Sequence, residues 1–230
     1  MDLIESGVTD PINHWYYRHK FWFILNSGIW GDDSSDRLID IGAGSALFSK
    51  QLVQMNVINR CVAVDTGYTE DSIDPDTGML LRRSSAYNNF SHFLLTDVLE
   101  HIEHDEEFLT EIVSQADRGS LFIITVPALM SLWSGHDVYL RHFRRYTKTE
   151  LCLLVKSAGL EIISARYTYS TVFPLAYFSR KILHRKSEGS QLKENSRFAS
   201  SALQVLLLLD RWISRLPFGV SLFLVAKKAN

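Results

Sequence analysis

The chain has little of what would tie it to a disulfide framework, a membrane or a polyanion. Its 230 residues contain two cysteines, Cys61 and Cys152, and neither has a second cysteine at metal or redox spacing. Both are expected in the core of a protein from a reducing compartment. No apolar run reaches the roughly 18–20 residues that span a bilayer: Val205 to Leu209 is closed by Asp210, and Leu222 to Ala226 by Lys227. The segment Met1 to Ser6 is acidic and has neither the basic start nor the apolar stretch of a signal peptide. A cytoplasmic location is expected, with peripheral attachment to the inner face of the membrane as its alternative. An excess of one charge is also missing, since 24 Lys and Arg face 26 Asp and Glu for a formal net charge of -2. No global field draws the protein to nucleic acid, so nucleic acid is not expected as a partner and any charged partner is met locally. Internal repeats and residue clusters of metal-ligand spacing are absent, so no metal is expected.

What is present is enough apolar material, 46% with 12% aromatic, for one substantial core. A single domain over residues 1–230 is expected. Short apolar runs alternate with helical patterns: Leu38 to Ile41, Phe48 to Val57, Cys61 to Asp65, Phe93 to Asp97, Asp105 to Ala116, Leu121 to Val126, Thr147 to Ala158 and Glu161 to Thr168. That alternation predicts an α/β fold with a parallel sheet and crossover helices, and Thr147 or Thr149 can cap the helix that follows them. Two helical pieces, Phe173 to Leu183 and Ala202 to Leu216, precede a last strand at Val220 to Ala226. They define a helical insert over 170–216, with a polar linker from Ser187 to Arg197 between them.

The most informative stretch is Leu38-Ile39-Asp40-Ile41-Gly42-Ala43-Gly44-Ser45, a strand that ends in a glycine turn and opens a helix. Strand, turn and helix together make a nucleotide-binding crevice. About twenty residues on, the next strand ends in Asp65, where a carboxylate can accept hydrogen bonds from both ribose hydroxyls. These features alone suit a dinucleotide or S-adenosylmethionine. Leu47 stands where the dinucleotide fingerprint wants a third glycine, and Asp40 would repel a phosphate. S-adenosylmethionine carries an ammonium and a sulfonium and no phosphate, so the acidic loop favours it.

Asp40-Ile41-Gly42-Ala43-Gly44, Asp65 and Thr96-Asp97-Val98-Leu99-Glu100-His101 resemble the ordered motifs of class I S-adenosylmethionine-dependent methyltransferases. The likeness extends to a bacterial group with an aromatic N-terminal helix and a segment such as Leu132-Trp133-Ser134-Gly135-His136-Asp137 through His142 to Arg144-Arg145-Tyr146-Thr147. Ala46 stands where that family often has glycine, and Lys20 where arginine is usual. The resemblance implies a Rossmann-like, doubly wound, seven-stranded sheet with S-adenosylmethionine as cofactor. It implies a donor site built from Asp40, Gly42, Ala43, Gly44, Asp65, Thr66, Asp97 and Val98, in which the loop lines the methionyl part, Asp65 holds the ribose and Asp97 with Val98 lies beneath the sulfonium.

The acceptor is expected against the segment from His136 to Tyr146, which in such a sheet faces the crevice. Methyl transfer is a direct displacement, so alignment and removal of a proton are what the protein must supply. His136 and His142 are the candidate bases, Asp137 an orienting carboxylate, and Arg144 or Arg145 a binder of an anionic group; the same charges could equally pin the loop by internal ion pairs. His101 is expected on the pocket side and His104 in solvent. The segment His14 to Trp22 reads as an amphipathic aromatic helix that is either a lid over the donor or core. The insert, apolar with a basic flank, suits packing, a homodimer or peripheral membrane contact. The acceptor is therefore expected to be a small molecule, a glycan or a lipid-linked compound, and a non-catalytic binding or membrane-associated partner protein is the competing reading.

Overall fold

The computed structural model describes residues 10–31, 36–181, 203, 206–212 and 216–229. Helix α1 (Trp15–Leu25) precedes strand β1 (Arg37–Ile41), helix α2 (Leu47–Gln54) and strand β2 (Arg60–Val64). Two short strands follow, β3 (Ser72–Ile73) and β4 (Leu80–Arg82), then β5 (His92–Thr96), α3 (Asp105–Gln115) and β6 (Leu121–Pro127). Helices α4 (Gly135–Tyr139) and α5 (Lys148–Ser157), strand β7 (Leu160–Thr168), helix α6 (Phe173–Lys181) and strand β8 (Ser221–Lys228) complete the order. The linker expected between Ser187 and Arg197 lies outside the described residues, as do both inner ends of the expected insert helices.

The strands form one eight-stranded sheet in the order β3-β4-β2-β1-β5-β6-β8-β7. The pairs β1–β2, β1–β5, β2–β4 and β5–β6 are parallel, whereas β8 runs antiparallel between β6 and β7. The expected seven strands are there, and the eighth is the two-residue β3, antiparallel to β4 at the sheet edge. From β1 the chain first winds outward to β2 and then crosses to β5 on the other side. The carboxyl ends of β1 and β5 thus flank the switch point where ligands bind in open α/β sheets.

Both faces of the sheet are covered, which is why its central strands read as continuous apolar runs. Ile39, Phe93, Leu95, Phe122 and Ile124 point to one face and pack with Leu109, Ile112, Leu151 and Val155 of α3 and α5. Their neighbours Leu38, Leu94 and Ile123 point to the other and meet Phe23 and Ile24 of α1 and Phe48 and Leu52 of α2. Cys61 is buried, as expected, but Cys152 is only half-buried on α5. Helix α5 starts at Thr147, whose Oγ1 accepts from the Glu150 amide at 3.2 Å while the Glu150 carboxylate accepts from the Thr147 amide at 2.7 Å. Such a reciprocal cap contributes about 1 kcal/mol.

Helix α1 is apolar on both sides rather than amphipathic, because it lies between the sheet and the insert. His19 is buried and its Nε2 lies 2.9 Å from Oδ2 of Asp210, which also accepts the Tyr169 amide at 2.8 Å. A bond across 191 residues of sequence thereby ties the helical stretch at 206–212 to the aromatic helix. No helix among the described residues is long and apolar enough to cross a membrane.

Candidate active site

A cavity of about 1000 Å³ opens at the carboxyl ends of β1, β2 and β5, bounded by Trp15, Tyr16 and Tyr17 of α1 and by Leu175 and Arg180 of α6. Its floor is the glycine turn. Gly42 has φ +66°, and a Cβ placed on it would stand 2.7 Å from Cγ2 of Val98, so the turn after β1 and the turn after β5 are in direct contact. A side chain at Gly42 would have to displace Val98 from the cavity floor. Ala46, at φ 55°, occupies the left-handed region at the head of α2, which costs a residue with a Cβ about 1 kcal/mol and gives a physical reason for the family's glycine there.

Of the residues expected to hold the donor, Gly42, Asp65, Thr66, Asp97 and Val98 line the cavity. Asp40, Ala43 and Gly44 stand behind it and shape it. The Asp65 carboxylate accepts the Gly44 amide at 2.7 Å through Oδ2 and the Gly67 amide at 2.8 Å through Oδ1. Two backbone donors thus aim one carboxylate at the cavity, with lone pairs left for ligand hydroxyls. Asp65→Ala is expected to weaken donor binding by roughly 10- to 100-fold, the loss of charge-assisted hydrogen bonds; calorimetric titration of the folded variant checks it, and unchanged affinity would remove Asp65 from the site.

Asp40 is fully buried beneath the turn and accepts from Ser49 Oγ at 2.6 Å, while its Oδ1 has no partner. Burial pushes its carboxyl up from 3.8 to about 6, despite the Ser49 hydrogen bond that pulls it down. The folded state therefore favours the protonated acid, and the stability this gives is lost as pH rises from 3.8 through 6. Asp40→Asn is expected to raise stability at pH 8 by about 1–3 kcal/mol with little gain near pH 4. Urea unfolding at the two pH values measures this, and an equal change at both would contradict it.

Asp97 closes β5 with φ +57°. Its amide donates to the Thr125 carbonyl at 2.9 Å, its Oδ1 accepts from Thr125 Oγ1 at 2.9 Å, and its Oδ2 forms an ion pair with Lys20 of α1. Burial alone would push the Asp97 carboxyl up, but the adjacent Lys20 ammonium outweighs it and holds the carboxyl below its ordinary range. Burial likewise disfavours the Lys20 ammonium, and Asp97 outweighs it in turn, so that charge is held. Lys20 also sits 4.8 Å above the Tyr16 ring, which stacks on Tyr169 at 5.0 Å. The sequence alone assigns nothing to Lys20, because its partner is 77 residues away.

On the acceptor side His136, His142 and Arg145 all line the cavity, joined by His101 and Glu100. Asp137, fully buried, organises them. Its Oδ1 accepts from Arg145 Nε at 2.7 Å and lies 3.1 Å from His142 Nδ1, and its Oδ2 accepts the Ser134 amide at 2.9 Å. Burial works against this carboxylate, yet the His142 hydrogen bond and the Arg145 charge hold it far below its ordinary range. Because ionised Asp137 can only accept, the neutral ring of His142 carries its proton on Nδ1 and presents the Nε2 lone pair. Arg145 is engaged internally: besides Asp137 it donates from Nη1 to the Ala128 carbonyl at 3.1 Å. Arg144 points out of the cavity, bonded to Asp105 Oδ1 at 2.7 Å and the Glu103 carbonyl at 2.5 Å. His104 is exposed and His101 half-buried, as expected.

A family model described as a methyltransferase domain matches residues 14–165. The chain belongs to this methyltransferase family. Solved structures share its fold. A S-adenosylmethionine-dependent methyltransferase from Mesorhizobium loti aligns with TM-score 0.57 at 12% identity, over 95% of this chain and 100% of that one. One from Archaeoglobus fulgidus aligns at 0.54 and 17%, over 93% and 94%. Phosphoethanolamine N-methyltransferase 2 of Haemonchus contortus, in complex with phosphomonomethylethanolamine and S-adenosylhomocysteine, aligns at 0.57 and 16% over 92% of this chain and 52% of its own. No curated protein sequence matches the chain.

The methyltransferase uses S-adenosylmethionine, and its cavity fits that donor chemically. Asp65 and Asp97 line the cavity as carboxylates, which suits a ligand with an ammonium and a sulfonium better than a pyrophosphate, and Leu47, buried at the head of α2, stands where a pyrophosphate turn would need glycine.

Proposed function

We propose that the protein transfers a methyl group from S-adenosylmethionine to an oxygen or nitrogen nucleophile of a small-molecule, glycan or lipid-linked acceptor. The observation that carries this reading is the Asp137–His142 pair opening into the same cavity as Asp65, Asp97 and Gly42. When bound, the donor supplies an electrophilic methyl group that leaves a sulfonium sulfur by direct displacement, the sulfur keeping the electron pair.

The chain's own residues do the rest. Asp65 and the turn at Gly42 fix one end of the donor, and Asp97, held by Lys20 and Thr125, fixes the other. His142, oriented through Nδ1 by Asp137, can take the acceptor's proton on Nε2, and His136 is the second imidazole on that wall. Trp15, Tyr16 and Tyr17 put aromatic rings on the cavity wall, which suits a sulfonium by cation–π attraction. Arg180 lies on the same wall, donating to the Leu132 carbonyl at 2.6 Å; burial lowers its guanidinium to about 10, still far enough above neutral pH for it to stay a cation and serve as a counter-charge for an anionic acceptor group.

The outer face of the insert supports a greasy or lipid-linked acceptor. Leu175, which also lines the cavity, is 65% exposed, Phe178 57% and Trp212 89%. Peripheral membrane contact or a homodimer through 170–216 would cover that face. Release of S-adenosylhomocysteine, assayed with hydroxyl-bearing and amine-bearing acceptors of soluble and lipid-linked kinds, tests the reading. Product with one class identifies the acceptor, whereas donor binding without product in any class would favour the non-catalytic binding protein.

A further inference from the structure

Glu100 is buried to 0% exposure, and neither of its carboxylate oxygens has a hydrogen-bond partner. A carboxyl group left in that state is strongly disfavoured unless something else satisfies it. It lies on the cavity wall in the single helical turn Leu99–His101, beside His101, and across from His142. Ligand atoms from Glu100, His101 and His142 all fall within 4.8 Å of one another. The rings of His101 and His142 meet edge to face at 4.6 Å.

We propose that Glu100, His101 and His142 form a binding site for a divalent first-row transition cation on the acceptor side of the cavity. One carboxylate and two imidazoles form a mixed oxygen and nitrogen set suited to such ions rather than to magnesium or calcium. Asp137 supplies the outer support typical of these sites, accepting from His142 Nδ1 at 3.1 Å so that Nε2 is left to bind. The two ligand-bearing segments are also held together in advance. The Phe143 amide donates to the Glu100 carbonyl at 2.7 Å, and Tyr146 Oη donates to Asp105 at 2.6 Å, beside the Arg144–Asp105 ion pair. Three protein ligands leave coordination positions open to the cavity. An acceptor hydroxyl held there gives up its proton to water at a lower pH than in solution, which deepens the proposed function toward an oxygen acceptor and makes the His142 lone pair a ligand rather than a base.

The test reads the metal without donor or acceptor, so its failure is distinct from a failure of methyl transfer. The chelator-treated protein is titrated with cobalt(II) and followed by its visible absorption, with manganese(II) and zinc(II) by calorimetry. One equivalent of cobalt is expected to bind with visible ligand-field bands, and Glu100→Gln and His101→Ala are each expected to weaken it by at least about tenfold. His101 is half-buried, so its replacement keeps the test valid should Glu100→Gln not fold. No cobalt spectrum with the wild-type chain at millimolar metal, or unchanged binding in the folded variants, overturns the proposal.

Discussion

His142→Ala is expected to lower methyl-transfer turnover by roughly 10²- to 10⁴-fold while leaving S-adenosylhomocysteine affinity within about a factor of two. The reason is local. Asp137 fixes the ring through Nδ1, with 3.1 Å between the two atoms, and leaves Nε2 for the proposed acceptor, whereas the proposed donor contacts lie on the turns after β1, β2 and β5. Whether Nε2 takes a proton or binds a cation, its loss removes the group that prepares the nucleophile. His136→Ala is expected to cost less, because it leaves in place the Asp137 bond that orients His142. Single-turnover rates with excess enzyme check the prediction, and full activity of the His142 variant would place the acceptor's activation elsewhere.

Lys20→Met is expected to have the largest effect on stability. Lys20 is 3% exposed and pairs with Asp97, which is one-third exposed, and the buried carboxyl of Glu100 lies close behind, pushed well above its ordinary range first by burial and then by the Asp97 charge. Removing the ammonium leaves two acidic groups in one wall without the cation that faces them. Breaking a fully buried pair in this way costs about 3–5 kcal/mol; screening at the exposed edge of Asp97 brings this to about 2–3 kcal/mol. For a chain of this size that is a fall in Tm of roughly 5–10 °C. Lys20→Arg keeps the cation and is expected to recover most of the loss. Thermal unfolding of the variants settles the matter, and a Lys20→Met variant as stable as the parent would show that the pair contributes nothing.

The parts of this site that were legible in the sequence are those encoded locally. The glycine turn, Asp65 and Asp97 each sit at the end of an apolar strand, and period and punctuation place them on one edge of the sheet. The cap at Thr147 is likewise a three-residue pattern. Strands β3 and β4 were not legible, because two and three residues carry no periodicity, and α4 was read as loop because five residues make little more than one turn. Nor was Glu100 singled out. The signal was an acid directly after Val98-Leu99 in an otherwise apolar run, but its isolation is a property of packing. The Lys20–Asp97 and His19–Asp210 pairs join segments 77 and 191 residues apart, and no local pattern marks such partners. Arg145, expected to face the acceptor, spends its guanidinium on Asp137 and the Ala128 carbonyl, which only the folded arrangement makes visible.

The cavity at the β1–β5 switch point is expected to bind a cationic methyl donor and not a dinucleotide. Calorimetric titration of the purified protein with S-adenosylmethionine and S-adenosylhomocysteine, with reduced nicotinamide dinucleotides as controls, tests it most directly. Saturable binding of the first two in about the micromolar range and none of the controls is the expected result; binding of the nicotinamides, or of neither kind, would contradict it.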